Sequence, residues 1–121
     1  MNDTDDRQAR PASDAIRGYH AHVYFGPDSE AEARALYERI PDALPKAALG
    51  RFHARPVGPH PAWSYQVAFA ADRFGDVVPW LALNRGNLDV LVHGISGDDV
   101  YDHTALVMWL GRSYTLDLSA L

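Results

Sequence analysis

Tyr19-His-Ala-His-Val-Tyr-Phe25 alternates between two kinds of side chain along its whole length. Its odd-numbered positions are apolar or aromatic, whereas its even-numbered positions hold His20, His22 and Tyr24. Successive side chains of a β-strand point to opposite faces, so this period of two predicts a strand with one apolar face and one imidazole face. The stretch therefore decides both the fold and the position of a candidate site.

The rest of the chain divides into segments with a period of two and segments with helical spacing of apolar residues. In chain order they predict a helix from Ser29 to about Pro41, strands over 49–57 and 63–70, a helix over 74–84, a strand over 88–93, a helix over 98–110 and an extended segment over 114–121. The order strand–helix–strand–strand–helix–strand is that of a ferredoxin-like, split βαβ fold. We therefore expect an α+β domain whose four-stranded antiparallel sheet carries helices on one face, with the first strand between the third and the fourth.

Composition limits the class of protein. The 121 residues are enough for one domain, which we place at 16–121, after a polar and acidic segment, 1–15, that we expect to be disordered. A net charge of −5 argues against nucleic acid as the main partner. The sequence has no apolar stretch long enough to span a membrane and no secretory signal, which favours a cytoplasmic location. Because it has no cysteine, any metal must take nitrogen or oxygen ligands.

Further polar side chains alternate onto the imidazole face from the other predicted strands. They are Arg51, His53 and Arg55 from the second strand, Gln66 from the third and His93 from the fourth. If the first and fourth strands pair antiparallel, His20 near the start of the first strand is expected to lie close to His93 near the end of the fourth. We expect His53 to open the second strand at that same end of the sheet.

The His-x-His pair of the first strand suits metal binding. Residues i and i+2 of a strand project from one face about 6.5 Å apart, so two imidazoles can reach one ion. A third imidazole from a neighbouring strand would complete a set that leaves coordination positions open for substrate. The alternative is that these histidines are ordinary polar surface on an open sheet.

Two histidines lie outside the predicted strands. His60 stands between two prolines of the turn Gly58-Pro-His-Pro61, where it either caps the turn or acts as a pre-positioned acid or base. His103 follows Asp102 at a predicted helix start, for which we favour a structural or supporting role.

Taken together, seven blocks make the chain resemble the DOPA 4,5-dioxygenase family of fungi and bacteria. They are Tyr19-His-Ala-His-Val-Tyr-Phe25, Gly50-Arg-Phe-His53, Pro56-Val-Gly-Pro-His-Pro61, Val78-Pro-Trp-Leu-Ala-Leu-Asn-Arg85, Val90-Leu-Val-His93, Ser96-Gly-Asp-Asp99 and Asp102-His-Thr104. The resemblance covers about residues 17–121. It implies a ferredoxin-like domain, often a homodimer, that cleaves a catechol such as L-DOPA or caffeate in the extradiol manner with non-haem iron(II) and dioxygen.

The resemblance also suggests roles for the polar residues. Three of the four histidines His20, His22, His53 and His93 are the predicted metal ligands, and the sequence does not decide which three. The remaining one joins His60 as a candidate acid or base, and His53 is a candidate for either role. Arg51 and Arg55 are predicted to bind a substrate carboxylate, and Tyr24 and Gln66 to line the substrate site. No carboxylate is clearly placed for a two-histidine, one-carboxylate iron site, so another divalent ion such as zinc is an alternative.

Two alternatives to a metal-dependent dioxygenase remain at this point. A metal-free ferredoxin-like enzyme would use a histidine as the base that deprotonates an activated substrate. A dimeric small-molecule-binding module would use the sheet face without turnover, since fold alone does not decide function.

Overall fold

The computed structural model describes residues 15–121. Its main elements are β1 (Gly18–Phe25), α1 (Glu30–Ala43), β2 (Ala48–Leu49), β3 (His53–Pro56), β4 (Trp63–Ala70), α2 (Phe74–Asn84), β5 (Asp89–Ile95), α3 (Asp99–Asp102) and β6 (Val107–Leu110). The segment predicted to be disordered, 1–15, lies outside the described residues apart from Ala15.

A six-stranded antiparallel sheet organises these elements. Its strand order is β2-β4-β1-β5-β6, and β3 pairs with β4 beyond this path. β1 lies between β4 and β5, as predicted from the order of the segments. The α+β class and the central position of β1 are confirmed, whereas the prediction of four strands was too low.

One face of the sheet packs against α1 and α2 to form the core. Fully buried side chains of three strands meet buried side chains of both helices there: Ala21, Val23, Tyr65, Val67, Val90 and Val92 with Ala33, Leu36, Ile40, Val77 and Leu81. Burying one such aliphatic side chain stabilises the fold by about 1.5–3 kcal/mol. Within residues 15–121, no helix has the length and hydrophobicity that crossing a membrane requires.

The predicted helix over 98–110 was wrong. Only Asp99–Asp102 is helical, and Val107–Leu110 forms β6, which pairs with β5 from Val90↔Leu110 to His93↔Val107. A short apolar run such as Val-Met-Trp-Leu fits either a strand or a helix by its periodicity. The free edge of β5 decides the outcome, because it offers backbone hydrogen bonds that a single helical turn does not satisfy.

The predicted second strand is divided into β2 and β3, and this moves His53. Ala48 of β2 pairs with Ala68, which is also the partner of His20 on the other side of β4. Because the strands are antiparallel, each later residue lies nearer the other end of β4, and His53 pairs with Ser64. The expectation that His53 shares the end of the sheet that carries His20 was therefore wrong.

Candidate metal centre

The second face of the sheet brings three histidines together through strand register. His20 and His93 are direct cross-strand partners of β1 and β5, and His22 follows His20 on the same face, opposite Leu91. Cross-strand partners and same-face neighbours are the closest side-chain pairs that a sheet provides. The pairing of β1 with β5 is thus sufficient to assemble the group.

The three imidazoles are close enough to share one ion. Each offers a ring nitrogen, and these nitrogens all lie within 4.8 Å of one another. Nε2 of His22 lies 3.2 Å from Nε2 of His93. Ligands about 2.0–2.1 Å from a metal ion, at tetrahedral or octahedral angles, lie about 2.9–3.4 Å apart. This nitrogen pair therefore has the separation of two ligands of one metal.

The hydrogen bond of His93 fixes which nitrogen is free to bind. Nδ1 of His93 donates to the carbonyl oxygen of Gly94 at 3.0 Å, because a carbonyl can only accept. In the neutral ring, Nε2 therefore carries a lone pair. Facing Nε2 of His22 at 3.2 Å, that lone pair requires either a proton or a cation between the two atoms. A backbone carbonyl that orients a histidine in this way is a frequent feature of metal sites.

Burial favours the neutral, ligating form of these rings. It lowers the pKa of His93 to about 4 and, together with the neighbouring His60, lowers the pKa of His22 well below 6.5. It also lowers the pKa of His20, whose ring is half-buried. A metal ion competes with protons for imidazole nitrogen, so a lowered pKa removes this competition near neutrality.

No carboxylate joins the group among the described residues. Asp102 is buried, but its two oxygens accept hydrogen bonds from the backbone and hydroxyl of Ser96. Asp89 accepts from the backbone N–H of Arg112 and from the hydroxyl of Tyr114. The donor set consists of three neutral nitrogens, which fits a divalent ion such as iron or zinc.

Two further histidines lie beside the three from the sheet. The ring centroids of His60 and His22 are 4.0 Å apart, and those of His103 and His93 are 4.2 Å apart. His60 and His103 are themselves 6.3 Å apart. We call all five together the histidine cluster: His20, His22, His60, His93 and His103.

Tyr24 sets the tautomer of His60. The Tyr24 hydroxyl lies 2.6 Å from Nδ1 of His60, and both residues are buried. Burial raises the pKa of Tyr24, so the phenol stays protonated. Its O–H has no other hydrogen-bond partner among the described residues, so it donates to Nδ1. In neutral His60 the proton is then on Nε2, which is a donor.

Asp99 sets the opposite tautomer in His103. Nδ1 of His103 donates to the carbonyl oxygen of Asp99 at 2.7 Å, so Nε2 of the neutral ring is an acceptor. Asp102 accepts from Ser96 and so holds the turn that carries His103. Of the two histidines that lie beside the candidate ligands, one is thus fixed as a donor and the other as an acceptor.

The chain after β6 crosses the same face of the sheet. The Tyr114 ring packs edge-on against Tyr24 at 5.0 Å, and its hydroxyl is held by Asp89 at 2.7 Å. The backbone N–H of Asp117 donates to the carbonyl of Pro59, next to His60. This segment therefore covers the face beside the cluster and contacts the loop that carries His60.

Some of the predicted site residues lie elsewhere. His53, Arg51 and Arg55 are in or just before β3, two strands away from β1, and both arginines are exposed. The structure places none of the three in the cluster. Gln66, by contrast, is the cross-strand partner of His22 and lies at the side of the candidate centre.

Sequence reasoning missed the positions of His103 and Trp109. His103 follows a buried aspartate, Asp102, at the start of a turn. In the sequence, the signal was the Asp102-His-Thr104 block itself. The position of Trp109 was not predicted, because the sequence predicted a helix there. Trp109 lies beside Leu91 only because β5 pairs with β6.

Most of this chain matches a known protein family and a solved structure. Residues 19–120 match the model of the Dopa 4,5-dioxygenase family. A solved structure of a candidate dioxygenase from Nostoc punctiforme superposes with a TM-score of 0.88 at 42% sequence identity, covering 92% of this chain and 96% of that one.

Two curated relatives are fungal. An uncharacterized 21.2 kDa protein of Botryotinia fuckeliana is 37% identical over 121 residues, which cover 90% of this chain and 66% of that protein. A DOPA 4,5-dioxygenase of Amanita muscaria is 33% identical over 114 residues, covering 88% of this chain and 50% of that enzyme. The chain thus spans between half and two thirds of the length of these relatives.

Proposed function

The chain belongs to the Dopa 4,5-dioxygenase family, and from that premise we propose that it cleaves a catechol ring in the extradiol manner. Dioxygen is the co-substrate, and both of its atoms enter the ring-opened product. The observation that carries the proposal is the meeting of three imidazole nitrogens within 4.8 Å of one another.

His20, His22 and His93 would hold the metal ion, for which we propose iron(II). When bound, such an ion supplies coordination positions for catechol oxygens and dioxygen and promotes loss of a catechol proton. Three protein ligands leave these positions open. Two contacts would orient the ligands in the metal-free chain. The Gly94 carbonyl accepts a hydrogen bond from His93, and strand pairing positions His20.

His103 is the proposed base. Its Nδ1–H is held by the Asp99 carbonyl, so its Nε2 lone pair is the atom that accepts a catechol proton. Proton transfer to a positioned imidazole contributes about 10²–10⁴-fold to a rate. The ring centroids of His103 and the proposed ligand His93 are 4.2 Å apart, which would bring the base close to hydroxyl groups bound at the metal.

His60 is the proposed proton donor. The Tyr24 hydroxyl donates to Nδ1, so Nε2–H of His60 is directed by a buried partner rather than by solvent. A fixed N–H donor near an oxygen that gains negative charge stabilises that charge. Thus His60 and His103 divide the acid and base work that the sequence assigned to His60 and His53.

The test is an oxygen-consumption assay on iron-loaded protein. Chelator-treated protein receives iron(II) without oxygen, then a catechol, then air. We expect a yellow product and one dioxygen consumed per ring opened. His103→Gln should lower the rate by about 10²-fold while iron stoichiometry is unchanged.

The matched control is the same protein kept in chelator. Turnover that survives chelation would favour a metal-free enzyme instead. If L-DOPA, caffeate and 4-methylcatechol all leave the iron-loaded mixture colourless and consume no oxygen, the proposed reaction is wrong.

A further inference from the structure

A groove of about 300 Å³ lies between β6 and the segment that follows it. Its walls include His103, Val107, Trp109, Tyr114 and Leu116. Trp109 and Tyr114 are half-buried, with ring centroids 5.8 Å apart and ring planes inclined by 33°. The groove therefore offers two aromatic side chains to a ligand.

The groove reaches the histidine cluster. His103 forms part of its wall, and Val107 is the cross-strand partner of the proposed ligand His93. Two larger cavities, of about 450 and 460 Å³, contain no histidine, and a third, of about 370 Å³, touches His20 but not His103. A molecule in the groove would thus be next to the proposed base, whereas a molecule in any of these three cavities would not.

The chemistry of the groove suits an aromatic ring rather than a charged group. Within residues 15–121, its lining contains no arginine, lysine, aspartate or glutamate. Aromatic pairs stabilise binding beyond the contribution of the area that they bury. Binding energy here would come from ring contacts and burial, because none of the described lining residues is an arginine or lysine that could pair with a carboxylate.

Resting on the proposed function, we infer that this groove binds the catechol ring and that Trp109 determines affinity for it. Recognition is then by the aromatic ring and not by the rest of the substrate. Catechols with a charged substituent, such as L-DOPA, and neutral ones, such as 4-methylcatechol, should depend on Trp109 equally.

A second cavity at the cluster would recognise a substrate differently. It touches His20 and is rimmed by Arg17 and Lys46, both exposed. A substrate recognised there would be held by its carboxylate. Lys46→Ala would then weaken binding of L-DOPA and leave 4-methylcatechol unaffected.

The experiment measures binding to zinc-loaded protein, because zinc has no redox chemistry with dioxygen. Both catechols are titrated while the indole N–H signal of Trp109 is followed by NMR. The signal is identified by its loss in Trp109→Phe. We expect it to shift with both catechols, Trp109→Leu to raise both Kd values about tenfold, and Trp109→Phe to restore most of the affinity. Lys46→Ala should change neither Kd.

Thr115→Trp tests the same groove without removing Trp109. Thr115 is exposed and lines the groove, so a larger side chain there fills it from the solvent side and should weaken both catechols. Unchanged binding in Thr115→Trp and Trp109→Leu would overturn the inference, as would a loss confined to L-DOPA in Lys46→Ala. If binding follows the expected pattern but iron-loaded protein consumes no oxygen, the proposed reaction fails and the groove assignment stands.

Discussion

The two faces of β1 are buried alike but filled with opposite chemistry. On the helix-facing side, Ala21 and Val23 have no exposed surface. On the other side, His22 is 6% exposed and Tyr24 is 1% exposed. Apolar side chains need only a matching volume, whereas each buried ring nitrogen or hydroxyl also needs a hydrogen-bond partner. The difference shows that one strand can contribute to stability on one side and to chemistry on the other.

Truncating a side chain on the histidine-bearing face of β1 should abolish function while the chain still folds. We expect His22→Ala to lower metal affinity at least 100-fold and to abolish turnover, because it removes one of the three proposed ligands. Metal content after dialysis and calorimetric titration with zinc measure this effect. Full retention of one metal per chain would show that the ligand set is wrong.

Truncating Val23, the next residue along β1 and on its helix-facing side, should lower stability and leave metal binding unchanged. Val23→Ala leaves a cavity in the core and should lower the free energy of unfolding by about 2 kcal/mol. Metal stoichiometry should stay at the wild-type value. Urea denaturation measures the loss. A variant that is as stable as wild type but binds no metal would contradict the division of roles between the faces.

A graded effect should appear with pH in chelator-treated protein. Burial lowers the pKa of both His60 and His93 to about 4 in the folded chain, from 6.5. The unfolded chain therefore binds more protons between these values, and stability is greatest above about pH 6.5. It should fall with decreasing pH by up to about 1.4 kcal/mol per unit for each histidine.

Urea denaturation at pH 7.5, 6.5 and 5.5 measures this slope. The variant His60→Asn lacks one of the two groups and should show a shallower dependence. Equal stability at pH 7.5 and 5.5 in the wild-type chain would mean that these rings are not desolvated.

Local patterns predicted the parts of the site that depend only on strand period and pairing. His20 and His22 alternate within β1, and His93 follows once β1 and β5 are paired antiparallel. The position of His53 depended on where an irregular connection returns to β4, which alternation does not encode. His103 and Trp109 depended on the β5 edge, where an apolar run admitted two structures. Homodimerisation and a cytoplasmic location, which the sequence suggested, stay predictions.

His22 and His93 are 71 positions apart along the chain, and this separation bears on when a metal ion could bind. No short peptide from this protein holds the three nitrogens, so the ion would be acquired only after β1 and β5 have paired. Uptake would then shift the folding equilibrium toward the native state by mass action. A chain folded without metal should accordingly reach its native shape first and bind the ion later.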